Sequence, residues 1–197
     1  TVRAGRFPWA DAAAVALSAL LLTLAAPPYE QAWLGWVAAA PLFWALLRAC
    51  ERPRPLRSAA AVGFWHGFCY LLLLATWFAA FTPAGYPVGA VYWGLLSAIS
   101  GLLSVAAIRR VPSVLAPPLL AAGWTVLEWL RAQGVFAFPW GTLAATQYRN
   151  IAVLQMLDIT GAYGLSFLMA LISASLAAWA HGARGQRLTG IPGALPI

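Results

Sequence analysis

Residues 88–108 read VGAVYWGLLSAISGLLSVAAI, an uncharged stretch of 21 residues that ends against Arg109 and Arg110. A helix needs about 20 mostly apolar residues to cross a bilayer, so this stretch predicts a transmembrane helix. The rest of the chain has the same character, because 62% of its 197 residues are hydrophobic and only 9% are charged. Soluble domains carry roughly a quarter charged residues. The sequence therefore predicts an all-α, polytopic membrane helix bundle.

Six apolar stretches are long enough to predict transmembrane helices. They lie near residues 10–26, 32–48, 58–81, 88–108, 114–130 and 160–180. The last belongs to a longer apolar run that starts at Ile151, where Asp158 and Gly161 indicate an interfacial beginning and a crossing that starts near Thr160. We expect residues 1–187 to form one transmembrane domain and residues 188–197 to begin a seventh span that the chain leaves incomplete.

Arginine placement predicts the orientation of these spans. The 12 basic residues are all arginine, and the net charge is +7. In the loops and in the two terminal segments that flank the spans, ten arginines fall on one side and two, Arg131 and Arg149, on the other. Basic residues accumulate on the cytoplasmic side, so the N-terminus is predicted to be cytoplasmic. The first, second and third outer loops are then Pro27–Gln31, Thr82–Pro87 and Arg131–Asn150. The same placement assigns the positive charge to topology and to anionic lipid headgroups, and no nucleic acid is predicted as a partner.

Glu128 and Arg131 are the most informative polar pair, because they are three residues apart on one helix face at the outer end of the fifth span. An ionisable residue at membrane depth is by default a candidate functional residue. One interpretation is a mutual ion pair that anchors the helix end. The other is a contact between Arg131 and a phospholipid phosphate, which a planar guanidinium fits well.

Three further residues of the third outer loop are candidate lipid or substrate contacts. Phe138 and Trp140 flank Pro139, and aromatic side chains favour the headgroup level, so an interfacial anchor is the alternative. Gln147 either contacts the substrate or hydrogen-bonds a neighbouring loop. The sequence predicts no metal site, no cofactor and no catalytic residue.

Residues inside the spans are expected to pack rather than to react. Gly63-x-x-x-Gly67 is typical of two helices that approach closely. His66, which lies within that motif, is expected to be a hydrogen-bonded packing residue. Cys50 and Cys69 are expected to be ordinary free thiols.

Taken in order, several segments resemble the transmembrane region of apolipoprotein N-acyltransferases. Six of them follow the order and approximate spacing of that family across nearly the whole chain. The segments are Leu24–Tyr29 with Leu34–Val37, Gly63-Phe64 with Gly67-Phe68 and Trp77, Ala84–Pro87, Glu128–Arg131, Phe138–Trp140 with Gln147, and Gly161–Phe167.

The resemblance implies an acyltransferase of the bacterial inner membrane, which moves an acyl chain from a phospholipid donor to the N-terminal amine of a diacylated lipoprotein. It also implies a nitrilase-like extracytoplasmic domain with a Glu base, a Lys and a Cys nucleophile, which this chain does not contain. The chain by itself is therefore expected to be inactive. Two alternatives remain: an acyltransferase-like membrane anchor of a polyprenol-phosphate mannose synthase, without acyl transfer, and a transporter or channel bundle. Few buried polar groups in the spans argue against the transporter.

Overall fold

The computed structural model describes residues 9–134 and 137–183, and throughout these ranges the regular structure is helical, without a strand. Eight α-helices are present in the described residues. They are α1 (Trp9–Ala25), α2 (Ala40–Cys50), α3 (Pro55–Leu74), α4 (Phe78–Phe81), α5 (Gly85–Ile108), α6 (Ala116–Arg131), α7 (Ile151–Leu154) and α8 (Leu157–Ala183). The predicted all-α membrane fold is confirmed.

Four helical stretches are long and apolar enough to cross a bilayer. They are Ala32–Cys50, Gly85–Ile108, Ser113–Arg131 and Leu157–Gly182. The apolar α1 has 17 residues and is slightly shorter than these. Arg57 and His66 lower the mean hydropathy of α3, although its 20 residues are long enough to span. The division into six crossings therefore stays a prediction, and the predicted seventh span at 188–197 lies outside the described residues.

The structure corrects the predicted helix over residues 58–81, which is two helices rather than one. α3 ends at Leu74, a turn covers residues 75–77, and the short α4 ends at Phe81. The turn brings Trp77 and Phe78 against Phe138 of the third outer loop. Pro83 disfavours helical geometry at Thr82, where α4 has ended. The hydrophobic pattern of the sequence could not predict this break, because α3 and α4 are both apolar.

Two other predicted spans have irregular beginnings. The second starts with a separate 3₁₀ turn at Ala32–Trp36, and the regular helix α2 follows only from Ala40. The last span lies within α8, which is kinked at Gly161, where φ is 67° and ψ is 179°. This conformation favours glycine, so Gly161 explains why the straight part of α8 begins close to the predicted Thr160.

The close packing of α3 on α5 confirms the expected role of the two spaced glycines. A Cβ atom on Gly67 would lie 2.5 Å from the carbonyl oxygen of Trp93, and one on Gly63 would overlap the carbonyl oxygen of Ser97. The expected packing role of His66 is also confirmed, because its Nε2 lies 3.2 Å from the Ser18 hydroxyl. Small residues thus allow the backbones to approach closely where lipid supplies no hydrophobic driving force.

Side-chain contacts define two ends of the bundle. At one end, the buried carboxylate of Asp11 binds Arg48, at 3.1 Å, and Arg52. Arg109 donates to the carbonyl of Cys50 at 2.8 Å at the same end. At the other end, Glu30 of the first outer loop pairs with Arg149 of the third, and Glu128 in the last turn of α6 accepts from the Leu143 N–H. Residues predicted to share a side of the membrane therefore do meet, which supports the alternation of the loops.

Candidate functional site

The carboxylate of Glu128 holds the third outer loop against the C-terminal turn of α6. Its side chain is fully buried. Its Oε1 accepts a hydrogen bond from Trp124 Nε1 at 2.7 Å and another from the backbone N–H of Leu143 at 2.8 Å. Trp124 lies four residues earlier, one helical turn away on the same face. Glu128 therefore connects its own helix to a loop segment 15 residues later.

Arg131 ends α6 and buries its guanidinium without a carboxylate partner. The side chain is 2% exposed, and its guanidinium carbon lies 4.3 Å from the ring centroid of Trp93. Nε and Nη2 are buried and have no hydrogen-bond partner among the described residues. No ion pair joins Arg131 to Glu128 in the described part of the chain. A cation–π contact therefore stands where one interpretation of the sequence placed an ion pair, and the N–H groups on these two nitrogens are available to an anion.

Phe138 lies at the centre of an aromatic cluster beside the C-terminal end of α6. Its backbone N–H donates to the carbonyl of Arg131 at 2.7 Å, and its ring is 5.9 Å from that of Trp93. Trp140 stacks on Phe138 at 6.0 Å with an interplanar angle of 15°. Trp77 and Phe78 complete the outer aromatic cluster, which we define as Trp77, Phe78, Phe138 and Trp140. Trp140 is half exposed, so the cluster has a face toward the surroundings.

Gln147 is a structural link between the third outer loop and the 3₁₀ turn that follows the first outer loop. It is 1% exposed, and its Nε2 donates to the carbonyl of Ala32 at 2.7 Å. Its Oε1 accepts from Trp36 Nε1 at 3.3 Å. Of the two interpretations, the geometry favours the hydrogen bond to a neighbouring loop. A ligand would have to displace protein partners to reach this amide.

An exposed polar contact joins the first and third outer loops at the surface. Arg149 Nη1 lies 2.6 Å from Glu30 Oε2, and the hydroxyl of Tyr148 donates to Glu30 Oε1. That hydrogen bond to Glu30 raises the pKa of Tyr148. The first outer loop and the turn that follows it are therefore connected to the third outer loop both inside and at the surface.

Sequence reasoning missed three residues that shape this site. Tyr70 is buried in α3, and its hydroxyl donates to the carbonyl of Gly141 at 2.8 Å. Gly141 has a φ of 65°, and a Cβ there would lie 2.6 Å from the Tyr70 hydroxyl oxygen. Trp93 supplies the ring under Arg131. Buried tyrosine and tryptophan side chains usually hydrogen-bond to or stack on a polar group. This tendency is the signal that could have identified Tyr70 and Trp93 in the sequence.

The cysteines lie away from this site. Both are free, as expected. Cys50 ends α2 at the arginine-rich end and contacts the Leu46 carbonyl oxygen at 3.6 Å, and Cys69 lies inside α3. Neither has the arrangement of a nucleophile beside a base.

Comparisons with known proteins agree with this architecture. The family model of the apolipoprotein N-acyltransferase N-terminal domain matches residues 18–175. An apolipoprotein N-acyltransferase of Geobacter metallireducens is 36% identical over 86% of this chain and 33% of its own length. That of Caulobacter vibrioides is 31% identical over 93% of the chain and 36% of its own length. The chain thus spans about a third of the length of these relatives. It belongs to the apolipoprotein N-acyltransferase family and corresponds to the family's N-terminal membrane domain.

Proposed function

We propose that this chain is the membrane-embedded portion of an enzyme that transfers an acyl chain from a phospholipid to the N-terminal amine of a diacylglyceryl-cysteine lipoprotein. The observation that carries the proposal is the family match over residues 18–175. The enzyme resides in the bacterial inner membrane, with the arginine-rich end of the bundle in the cytoplasm. No residue of the chain is assigned to the chemical step.

Within that function, the outer end of the bundle receives lipid. Phe138 and Trp140 contact the donor or acceptor chains through the outer aromatic cluster, of which Trp140 is the half-exposed member. Arg131 offers its Nε and Nη2 groups, which have no hydrogen-bond partner among the described residues, to a phosphate oxygen. Because the guanidinium is buried, the lipid reaches it only when the neighbouring loop moves or when a headgroup enters beside that loop.

Glu128 and Gln147 have a positioning role in this proposal. Glu128 fixes Leu143, and Gln147 fixes the loop at Ala32, so the two side chains set the shape of the surface that meets lipid. Neither needs to contact the substrate. The membrane domain would then present a preformed surface to the outer leaflet, so lipid binding would not have to order the loop.

The anchor of a mannose synthase is the less favoured function. The relatives from Geobacter, Caulobacter and Gloeobacter violaceus are named apolipoprotein N-acyltransferases, and the last is 34% identical over 79% of this chain. A full reading frame with a glycosyltransferase domain would reverse this preference.

The test replaces Arg131 in a full-length enzyme that contains this domain. Acyl transfer from phospholipid to a diacylated lipopeptide is measured by mass spectrometry, and folding is measured by the melting temperature. Loss of a charged hydrogen bond of about 1.5–3 kcal/mol predicts at least a 10-fold loss of kcat/KM for the phospholipid in Arg131→Leu. Arg149→Lys, at the same end of the bundle, can keep the ion pair with Glu30 and is the control that should keep normal activity.

Normal turnover in a well-folded Arg131→Leu enzyme would refute the phosphate contact. If Arg131→Leu does not fold, Trp140→Ala takes its place, since Trp140 is 52% exposed and its removal leaves the bundle intact. A raised KM for phospholipid in Trp140→Ala supports the lipid surface, and an unchanged KM contradicts it.

A further inference from the structure

A groove lined by four arginines opens at the other end of the bundle, between the start of α3 and the end of α5. Its volume is about 500 Å³, within the range of sites that hold small ligands. The lining residues are Arg54, Pro55, Leu56, Arg57, Ala106, Arg109 and Arg110. This is the end predicted to be cytoplasmic, far from the outer aromatic cluster.

The positive charge in this groove is not neutralised by the protein. All five carboxylates of the chain's side chains lie in the described residues, and none forms an ion pair with the four groove arginines. Asp11 binds Arg48 and Arg52 instead. Four guanidinium groups without a carboxylate partner surround one concave surface, although Arg109 also donates to the Cys50 carbonyl. Such a surface favours an anion, because guanidinium binds phosphate oxygens in a bidentate manner.

The backbone of α3 adds to the attraction. This 20-residue helix begins at Pro55, and no side chain caps its N-terminus. The positive end of the helix dipole and the unsatisfied first-turn N–H groups favour negative charge at this point. Arg109 and Arg110 in turn lie at the negative C-terminal end of α5, where basic residues offset the dipole.

An apolar stripe on α5 continues from the groove toward the middle of the bundle. Leu95, Ile99 and Leu103 are 52%, 52% and 59% exposed, and they are spaced four residues apart on one helix face. Ala106 and Arg110 continue the same face into the groove. A ligand that matches both features has a phosphate head and acyl tails.

We propose that this groove binds the headgroup of an anionic phospholipid of the inner leaflet, with its acyl chains along Leu95, Ile99 and Leu103. Free phosphate or a nucleic acid would match the charge but leave the apolar stripe unused. Basic recesses between transmembrane helices on the cytoplasmic side are known lipid-headgroup sites in general. The lipid would be a structural ligand, because the groove lies at the opposite end from the site assigned to the acyl donor.

The test titrates the full-length enzyme in detergent with short-chain lipids and follows its melting temperature. Dioctanoyl phosphatidylglycerol is compared with dioctanoyl phosphatidylcholine and with inorganic phosphate. Each Lys or Arg near an anionic lipid contributes enough to change affinity about five-fold, so Arg57→Gln/Arg110→Gln should weaken phosphatidylglycerol binding about 25-fold. Both arginines are exposed, so the double variant should fold normally. Arg149→Gln is the matched control and keeps full affinity.

Each outcome decides the proposal. The proposal is supported if the enzyme prefers phosphatidylglycerol, if the double variant loses this preference and if Arg131→Leu keeps it. This result would show a headgroup site separate from the outer site. Equal stabilisation by phosphatidylcholine, or an unchanged affinity in the double variant, overturns it. Stabilisation by inorganic phosphate equal to that by phosphatidylglycerol would show an anion site without lipid and also overturn it. Acyl transfer at saturating donor should be unchanged in the double variant, so this test can fail independently of the proposed function.

Discussion

Replacement of Glu128 tests whether one buried carboxylate holds the outer loop on the bundle. Two donors depend on Glu128 Oε1, namely Trp124 Nε1 at 2.7 Å and the Leu143 N–H at 2.8 Å. Glu128→Leu fills similar volume but leaves both donors without an acceptor. An unsatisfied buried polar group costs about 1–3 kcal/mol, so the free energy of unfolding should fall by roughly 2–6 kcal/mol. The lower part of this range applies if water reaches the Leu143 N–H.

Glu128→Gln separates the hydrogen bonds from the charge. The amide oxygen can still accept from Trp124 and Leu143, whereas its NH₂ group would occupy the place of Oε2, which has no hydrogen-bond partner among the described residues. The variant also removes the negative charge closest in sequence to the buried Arg131. We expect a loss of about 1–3 kcal/mol, smaller than for Glu128→Leu.

The double variant Glu128→Leu/Arg131→Leu distinguishes the observed network from a simple ion pair. If the two residues only paired, replacing both with apolar residues would be tolerated. In the structure Glu128 binds other groups, so the double variant should stay as unstable as Glu128→Leu, within about 1 kcal/mol.

The assay is equilibrium unfolding of the purified protein in mixed micelles, followed by tryptophan fluorescence and repeated by circular dichroism. Thr125→Val is the matched control, because Thr125 lies on α6 and its hydroxyl bonds only to the Ala121 carbonyl one turn earlier. Wild-type stability in Glu128→Leu, or a double variant restored to wild-type stability, would refute the assigned role.

Three other predictions follow from the topology, the helix packing and the position of the cysteines. In a background without native cysteines, a cysteine at Ala84 should react with an impermeant thiol reagent outside intact cells and one at Pro55 should not; the reverse pattern would invert the orientation. Gly67→Ala should lower the free energy of unfolding by roughly 1–3 kcal/mol, because its Cβ would meet the Trp93 carbonyl. Gly182→Ala, with open space around its Cβ, should be neutral, and equal effects of the two changes would contradict the close α3–α5 packing. Residues 1–197 alone should yield no triacylated lipopeptide above a no-protein control by mass spectrometry, and product that depends on either cysteine would place the chemistry inside this domain.

Much of the fold could be predicted because lipid imposes strong and local requirements on sequence. Every backbone polar group must be satisfied inside a span, so length and apolar composition are enough to predict helices such as α1 and α5. Breaks inside apolar segments could not be predicted as well. The turn at residues 75–77 keeps the apolar character of its neighbours, and only the contacts of Trp77 and Phe78 with the outer loop explain it.

The candidate site was only partly predictable. Helical spacing placed Glu128 and Arg131 on one face, and the structure confirms that both lie in the last turn region of α6. The spacing suggested a mutual ion pair, whereas the structure gives each residue different partners. Leu143 and Trp93 lie 15 and 38 residues away from the residues they contact, and no local pattern connects them.

The sequence by itself was thus enough to identify the lipid surroundings of the helices, the all-α class and the family of this protein. It also predicted which loops face the cytoplasm. These properties depend on the transfer free energy, charge and order of residues along the chain. The tertiary structure decided which side chains meet: the buried guanidinium on Trp93, the loop held by Glu128 and the groove between α3 and α5. Such contacts depend on the rotation and separation of packed helices, which small residues such as Gly63 and Gly67 fix only after the helices have assembled.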